Sequence, residues 1–272
     1  MPDMTGPVPR IGYGTWNRTG DAARVNVLTA LETGYRHIDT AESYRNEAFI
    51  GAAVAQSGIA RDDIFLTTKI APESYAPGQM IGHARASLDR LRVDRVDLLL
   101  LHWPSIRDRY DMRDYMAQFA AIHDAGLARH IGVSNFTRHY IDRAMELLDG
   151  RPIATNQCEI HVLMQNRPIV DHCRARGIPM TAYAPLARGG VSDLPVLRQI
   201  AEAHGASTEQ IALAFLLAEG HAVIPSAGAR ERIAANFAAG KIELTPVEIT
   251  RIRQLDQGLR VVNGPWSPEW DT

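Results

Sequence analysis

Cysteine is nearly missing from this chain, with only Cys158 and Cys173 in 272 residues. Two cysteines so spaced can build neither a disulfide framework nor a zinc site. Long apolar runs are missing as well. The longest, Val96 to Leu101, has Asp97 inside it and falls far short of the ~20 residues that cross a bilayer, so no membrane partner is expected. Neither sign of charge dominates. The net charge is −2 with no basic block, which argues against nucleic acid as a partner. Ten histidines are present, but none stands in H-E-x-x-H or in H-x-H at the end of an apolar run. No metal is expected, and metal-assisted hydrolysis is set aside. The opening stretch, Met1 to Arg10, is polar and proline-rich and lacks the apolar core of a secretory signal, so a cytoplasmic protein is expected. No low-complexity segment or linker breaks the chain, and residues 1–272 are read as a single domain.

What the chain does have is alternation. Eight short apolar runs recur: Ile11–Gly14, His37–Thr40, Ile64–Lys69, Val96–His102, His130–Ser134, Ala154–Glu159, Pro179–Ala184 and Ala222–Pro225. Between them lie stretches of helical period. Ala84, Leu88 and Leu91 share one face, and Met116, Phe119, Ala120 and His123 share another. Strand then helix, repeated, means a parallel sheet with helical crossovers, and eight rounds with no linker predict an α/β protein closed as a (β/α)8 TIM barrel. An open doubly wound sheet would usually carry G-x-G-x-x-G after its first strand. Here Gly12-Tyr-Gly14 is followed by Asn17 where the third glycine should stand. The tail from Asn263 to Thr272 is rich in Trp and Pro and is expected to pack as an irregular loop.

A barrel of this kind builds its active site at the carboxyl ends of its strands. Polar residues stand at or near the ends of five successive runs: Asp39, Lys69, His102, then Ser134 with Asn135, and Gln157 near the end of the sixth run. Each alone has a plainer role, as a helix cap, a snorkelling amine or a packed imidazole. Their convergence on one barrel mouth favours a site. Tyr44 follows the second run and should sit near Lys69. A cation favours tyrosinate and lowers a phenol's pKa, while a carboxylate keeps the lysine charged. Asp39, Lys69 and Tyr44 thus form a coherent acid relay, with His102 placed to hydrogen-bond a substrate oxygen.

These residues resemble the aldo-keto reductase family. Gly34 to Glu47, GYRHIDTAESYRNE, is similar to the family's first signature, with Asp39 and Tyr44 on two of its four catalytic positions. LTTKI supplies Lys69 and LLLLHWP supplies His102. IGVSNF, NQCE and AYAPL resemble its nicotinamide site, where Ser134, Asn135 and Gln157 would hold the carboxamide and Tyr183 would stack on the ring. The resemblance extends the implied cofactor contacts to Thr15, Trp16, Asp39, Leu186, Ser226, Arg230, Arg232 and Asn236. It implies a substrate cleft lined by Trp16, Tyr44, His102, Trp103 and Trp266. The compact length and the ending SPEWD are most similar to the bacterial 2,5-diketo-D-gluconate and methylglyoxal reductase branch.

The resemblance implies a monomeric enzyme that reduces small-molecule aldehydes or ketones to alcohols by hydride transfer, with Tyr44 as proton donor. NADPH is the expected cofactor and NADH the alternative. A non-catalytic, NADPH-binding regulatory subunit is the second reading, disfavoured because the chain shows no added docking segment. Three departures bear on this. The family's I-P-K-S reads Ile224-Pro225-Ser226-Ala227, which removes the lysine and serine that grip the 2′-phosphate and leaves Arg232, Asn236 and Arg230 to compensate. N-Q-x-E-Y-H-P reads Asn-Gln-Cys-Glu-Ile-His-Val from Asn156 to Val162. The tryptophan two residues after the lysine is Ala71, so the pocket wall should be more open.

Overall fold

A computed structural model describes residues 6–271. Residues 1–5 and 272, the ends of the expected 1–272 unit, lie outside that description. Eight parallel strands follow one another in chain order around a single sheet. They are β1 (Tyr13–Gly14), β2 (His37–Asp39), β3 (Phe65–Ile70), β4 (Val96–Leu101), β5 (Ala128–Ser134), β6 (Asn156–Glu159), β7 (Met180–Tyr183) and β8 (Ala222–Val223). The sheet closes on itself. Ile11 bridges Val223, and the amides of Gly12 and Gly14 donate to the carbonyls of Val223 and Pro225 at 2.8 and 3.0 Å. At that seam a Cβ on Gly14 would stand 2.6 Å from the carbonyl oxygen of Ile224, so only glycine lets the first and last strands approach. Each apolar run of the sequence corresponds to one strand, although β3 continues one residue past its run, to Ile70, and β5 starts two residues before its run, at Ala128. The outer two are the shortest because the seam rests on a few bonds.

Helices alternate with the strands: α1 (Gly20–Thr33), α2 (Glu47–Gln56), α3 (Met80–Leu91), α4 (Met112–Asp124), α5 (Arg138–Leu147) and α6 (Arg167–Ala175). Between β7 and β8 there are two, α7 (Pro195–His204) and α8 (Thr208–Ala218). After β8 come α9 (Arg230–Ala238) and α10 (Pro246–Arg253). Simple strand–helix alternation does not anticipate α7 and α10. They lean on each other through His204 and Glu248, 2.9 Å apart, and each needs only one apolar side against the barrel. The expected face of α3 is buried through Ala84, Leu88 and Leu91. On α4 the buried set is Tyr115, Met116, Phe119, Ala120 and Ile122. His123 sits at its edge, half-exposed, because its turn meets solvent beside Asp124.

Strand alternation sorts the two faces of the sheet. Leu99 and Leu101 of β4 join the large cluster under the helices, whereas Leu98 and Leu100 join Val8, Ala154 and Ala222 in a separate one inside the barrel. Also inside, His37 reaches the hydroxyl of Thr67 at 3.0 Å, and Thr155 that of Thr181 at 2.9 Å. The tail is irregular up to Asp271, as expected, with Thr272 outside the description. It is fastened to the barrel. The amides of Val261 and Val262 donate to the buried Glu159 carboxylate at 2.6 and 2.9 Å, Trp270 packs on Trp103, and Asp271 accepts from the amide of Arg138. Among the described residues, no helix is long and apolar enough to cross a membrane.

Candidate active site

The parity that puts His37, Thr67, Leu100 and Thr155 inside the barrel also applies two residues later, at Asp39, Lys69, His102 and Gln157. These four, with Ser134 and Tyr183, therefore rise at the carboxyl rim. Lys69 is fully buried. Its Nζ lies 2.5 Å from Asp39 Oδ1 and donates to the carbonyl of Thr40 at 2.8 Å. The other oxygen of Asp39 accepts from Gln157 Nε2 at 2.8 Å. The carboxylate is thus anchored by two strands across the barrel.

Tyr44 ends a short 3-10 turn, Glu42–Tyr44, and lies over Lys69, whose Nζ is 5.1 Å from the ring centroid. Its ring meets that of His102 edge-on at 5.6 Å. The sequence leads one to expect a phenol made more acidic by the lysine. The pKa of Tyr44 is instead raised above its usual value: burial raises it most, Lys69 pulls it down, and Asp39 adds to the rise. Lysine has the expected sign but does not win. Burial alone would lower the pKa of Lys69, yet Asp39 and Tyr44 reverse that and raise it, so the amine stays charged. Burial, followed by the charge of Lys69, pushes His102 well below the usual imidazole range, so the ring is neutral at neutral pH.

Ser134, Asn135, Gln157 and Tyr183 form one hydrogen-bonded patch beside this group. Ser134 Oγ donates to the carbonyl of Gln157 and accepts from Asn135 Nδ2, and Tyr183 donates to Asn135 Oδ1 at 2.8 Å. Asn135 has φ +62°, a left-handed conformation that asparagine tolerates and that turns its side chain back to the carbonyl of His102 at 3.0 Å.

A cleft of about 650 Å³ runs over these residues and along the β1–β8 seam. Trp103, after β4, and Trp266 line it across the barrel from Pro225, Ser226 and Arg18 at the seam, and Trp16 and Leu186 line it as well. Trp16 and Trp266 are 51% and 46% exposed, and large aromatics so exposed at a cleft mark a contact surface. Trp103 is buried behind them. Beyond Trp266 the cleft adjoins an open groove past Pro72, Ile106 and Tyr110, on the side where Ala71 replaces the bulkier residue.

Other candidates lie away from the cleft. Thr15 is buried behind its wall, where Asn46 donates to its carbonyl. Asn236 is buried on α9. Arg232 is exposed and has no carboxylate within ion-pair distance among the described residues. Arg230 is not turned inward, because it pairs with Glu32 of α1 at 2.9 Å on the surface. The first turn of α9 has no side-chain cap and keeps free N–H groups. Three further side chains reach the cleft without a mark in the sequence: Ser43, 3.3 Å from His102 Nδ1, Arg18, and Arg188, stacked 5.0 Å over Trp16. Ser43 lay within the quoted signature and Arg18 two residues after Trp16, but nothing in their spacing marks them.

Side chains able to hydrogen-bond an amide and, at the β1–β8 seam, a guanidinium with no carboxylate within ion-pair distance among the described residues suit a nicotinamide dinucleotide, and the residues present fit that group. Fold and rim together define a barrel oxidoreductase. The family model for "Aldo/keto reductase family" matches residues 10–257, and the chain belongs to that family. It is 39% identical to methylglyoxal reductase DkgB of Salmonella typhi over 265 residues, 97% of this chain and 99% of that one. It is 34% identical to glyoxal reductase of Bacillus subtilis, over 95% and 92% of the two chains. Among solved structures it is similar to a putative 2,5-diketo-D-gluconic acid reductase B, with 37% identity, 97% and 94% coverage and a TM-score of 0.92.

Proposed function

We propose that the chain is an NADPH-dependent reductase of small aldehydes and ketones, with Tyr44 as the acid. The observation that carries this is the buried Lys69–Asp39 pair beneath a tyrosine at the mouth of an aromatic-rimmed cleft. The bound nicotinamide would supply the hydride. Tyr44 gives its proton to the carbonyl oxygen as negative charge builds there, and the charged Lys69 favours the tyrosinate left behind. Asp39 holds Lys69 in place. Ser43 Oγ lies 3.3 Å from Nδ1 of the neutral His102; in the tautomer in which the hydroxyl donates, the ring proton stands on Nε2 and is a donor toward the substrate oxygen. Ser134, Asn135 and Gln157 offer donors and acceptors to an amide, and Tyr183 offers its ring face. Leu186, Trp16 and Ser226 line the cleft where the remainder of the dinucleotide would run, Thr15 backs that wall, and Arg232 and Asn236 of α9, outside the cleft, would meet its adenosine end. Trp16, Trp103 and Trp266 wall the substrate.

Relatives named for methylglyoxal and glyoxal support small dicarbonyls as the first class to test. Keto acids and sugars, keto esters and aromatic aldehydes complete the panel. Purified protein should oxidise NADPH in the presence of at least one of these, faster than it oxidises NADH. If no member of the panel consumes either cofactor, the regulatory-subunit reading takes its place.

A further inference from the structure

The residue that replaces the family lysine, Ser226, does not stand alone. Arg18, from the loop after β1, crosses the seam and donates from Nε to Ser226 Oγ at 3.2 Å. Its other guanidinium nitrogens make no side-chain hydrogen bond, and no carboxylate lies within ion-pair distance of it among the described residues. A guanidinium has five N–H donors, so four remain after the bond to Ser226. The loop that carries it is fixed. The amide of Arg18 donates to the carbonyl of Thr15 at 3.0 Å. Its own carbonyl accepts from Asn46 Nδ2 at 2.9 Å, and Asn46 is buried and held by Thr40 at 2.6 Å. Opposite, a Cβ on Gly228 would stand 2.8 Å from Nη1 of Arg18. The guanidinium fills the space that any other residue at 228 would take.

We propose that Arg18 reads the 2′-phosphate of NADPH, supplying from the first strand's loop the positive charge that position 226 has lost. This rests on the dinucleotide reading above. The guanidinium binds phosphate oxygens, and Ser226, accepting from Nε, is left with its hydroxyl proton to donate to the same group. A positive charge in this place discriminates between cofactors because NADH has only a hydroxyl there. Among the described residues Arg18 makes no hydrogen bond or ion pair with Asp39, Lys69 or Tyr44, so its loss changes cofactor choice and leaves proton transfer alone.

The test is direct binding, followed by quenching of tryptophan fluorescence as NADPH or NADH is titrated into wild type, Arg18→Met, Arg18→Lys and Gly228→Ala. Loss of charge-assisted bonds corresponds to about a ten- to hundred-fold weakening. Arg18→Met should lose that much affinity for NADPH and less than about two-fold for NADH. Arg18→Lys should fall between, and Gly228→Ala, which displaces the guanidinium without removing it, should also weaken NADPH selectively. If Arg18→Met does not fold, the other two variants carry the test. A wild type that does not favour NADPH refutes the cofactor preference itself. A wild type that favours it, with variants that favour it equally or lose both cofactors together, overturns the role of Arg18 and leaves the preference standing.

Discussion

The catalytic rim and the far end of the cleft are built differently. At the rim, Asp39, Lys69, His102, Ser134 and Gln157 project from within the last three residues of a strand or one residue beyond it, and their order is that of the strands. Their charges are buried and paired, as in Lys69 with Asp39. At the far end, charge comes from a loop and a helix. Arg18 reaches across the seam, Arg232 is exposed, and Arg230 is tied to Glu32 by an ion pair open to water. The rim is fixed by backbone geometry, whereas the far end depends on where long side chains turn. A substitution at the rim should therefore alter chemistry and folding together, and one at the far end should alter selectivity.

The sharpest way to break this contrast is Tyr44→Phe. A positioned acid contributes about 10²- to 10⁴-fold, so turnover at saturating substrate should fall by that range while NADPH binding, read by fluorescence, stays within about two-fold. Substantial residual turnover would remove Tyr44 from its role. Lys69→Met comes next. Leaving Asp39 buried without its partner should cost about 3–5 kcal/mol of unfolding free energy, read by denaturant titration. It should also shift the pH–rate profile. Lys69 lowers the pKa of Tyr44, so without it the alkaline limb, where the acid loses its proton, moves to higher pH and the rate drops below it. An unmoved limb would count against the relay. Since His102 is held neutral, no acid limb is expected near pH 6.5 in wild type.

Arg232→Ala should have a smaller effect, raising KM for NADPH by about ten-fold and that for NADH little. Equal effects on both would show that Arg232 does not read the 2′-phosphate. Smallest of all is Glu32→Gln. An exposed ion pair is worth about 0–1 kcal/mol, so thermal midpoint and NADPH affinity should barely move. A large change in either would mean that Arg230 matters to the far end after all.

The same contrast governs what could be read from the residues alone. Eight apolar runs, five of them with polar residues at or near their carboxyl ends, disclose a barrel and its rim because period two and the carboxyl-end rule are local and rigid. Asp39, Lys69, His102 and Gln157 were legible for that reason. Arg18 was not, because Ser226 lies 208 positions away and only the closed seam brings the two together. The net sign at Tyr44 was also out of reach, since weighing Lys69 against burial requires knowing how deep the phenol lies. The outward turn of Arg230 depends on Glu32, which lies on a helix that has no sequence relation to it.

The hydrogen bonds that fasten the two ends of the tail have a consequence for engineering. Val261 and Val262 are held by Glu159 at one end and Asp271 by Arg138 at the other, so the segment between them, which carries Trp266, is an independent panel. Exchanging residues 263–269 for a panel of other shape should retune which carbonyls enter while the rim keeps its geometry. Substrate rankings should reorder without any displacement of the alkaline limb, and a limb that moved with the panel would tie it to the acid after all.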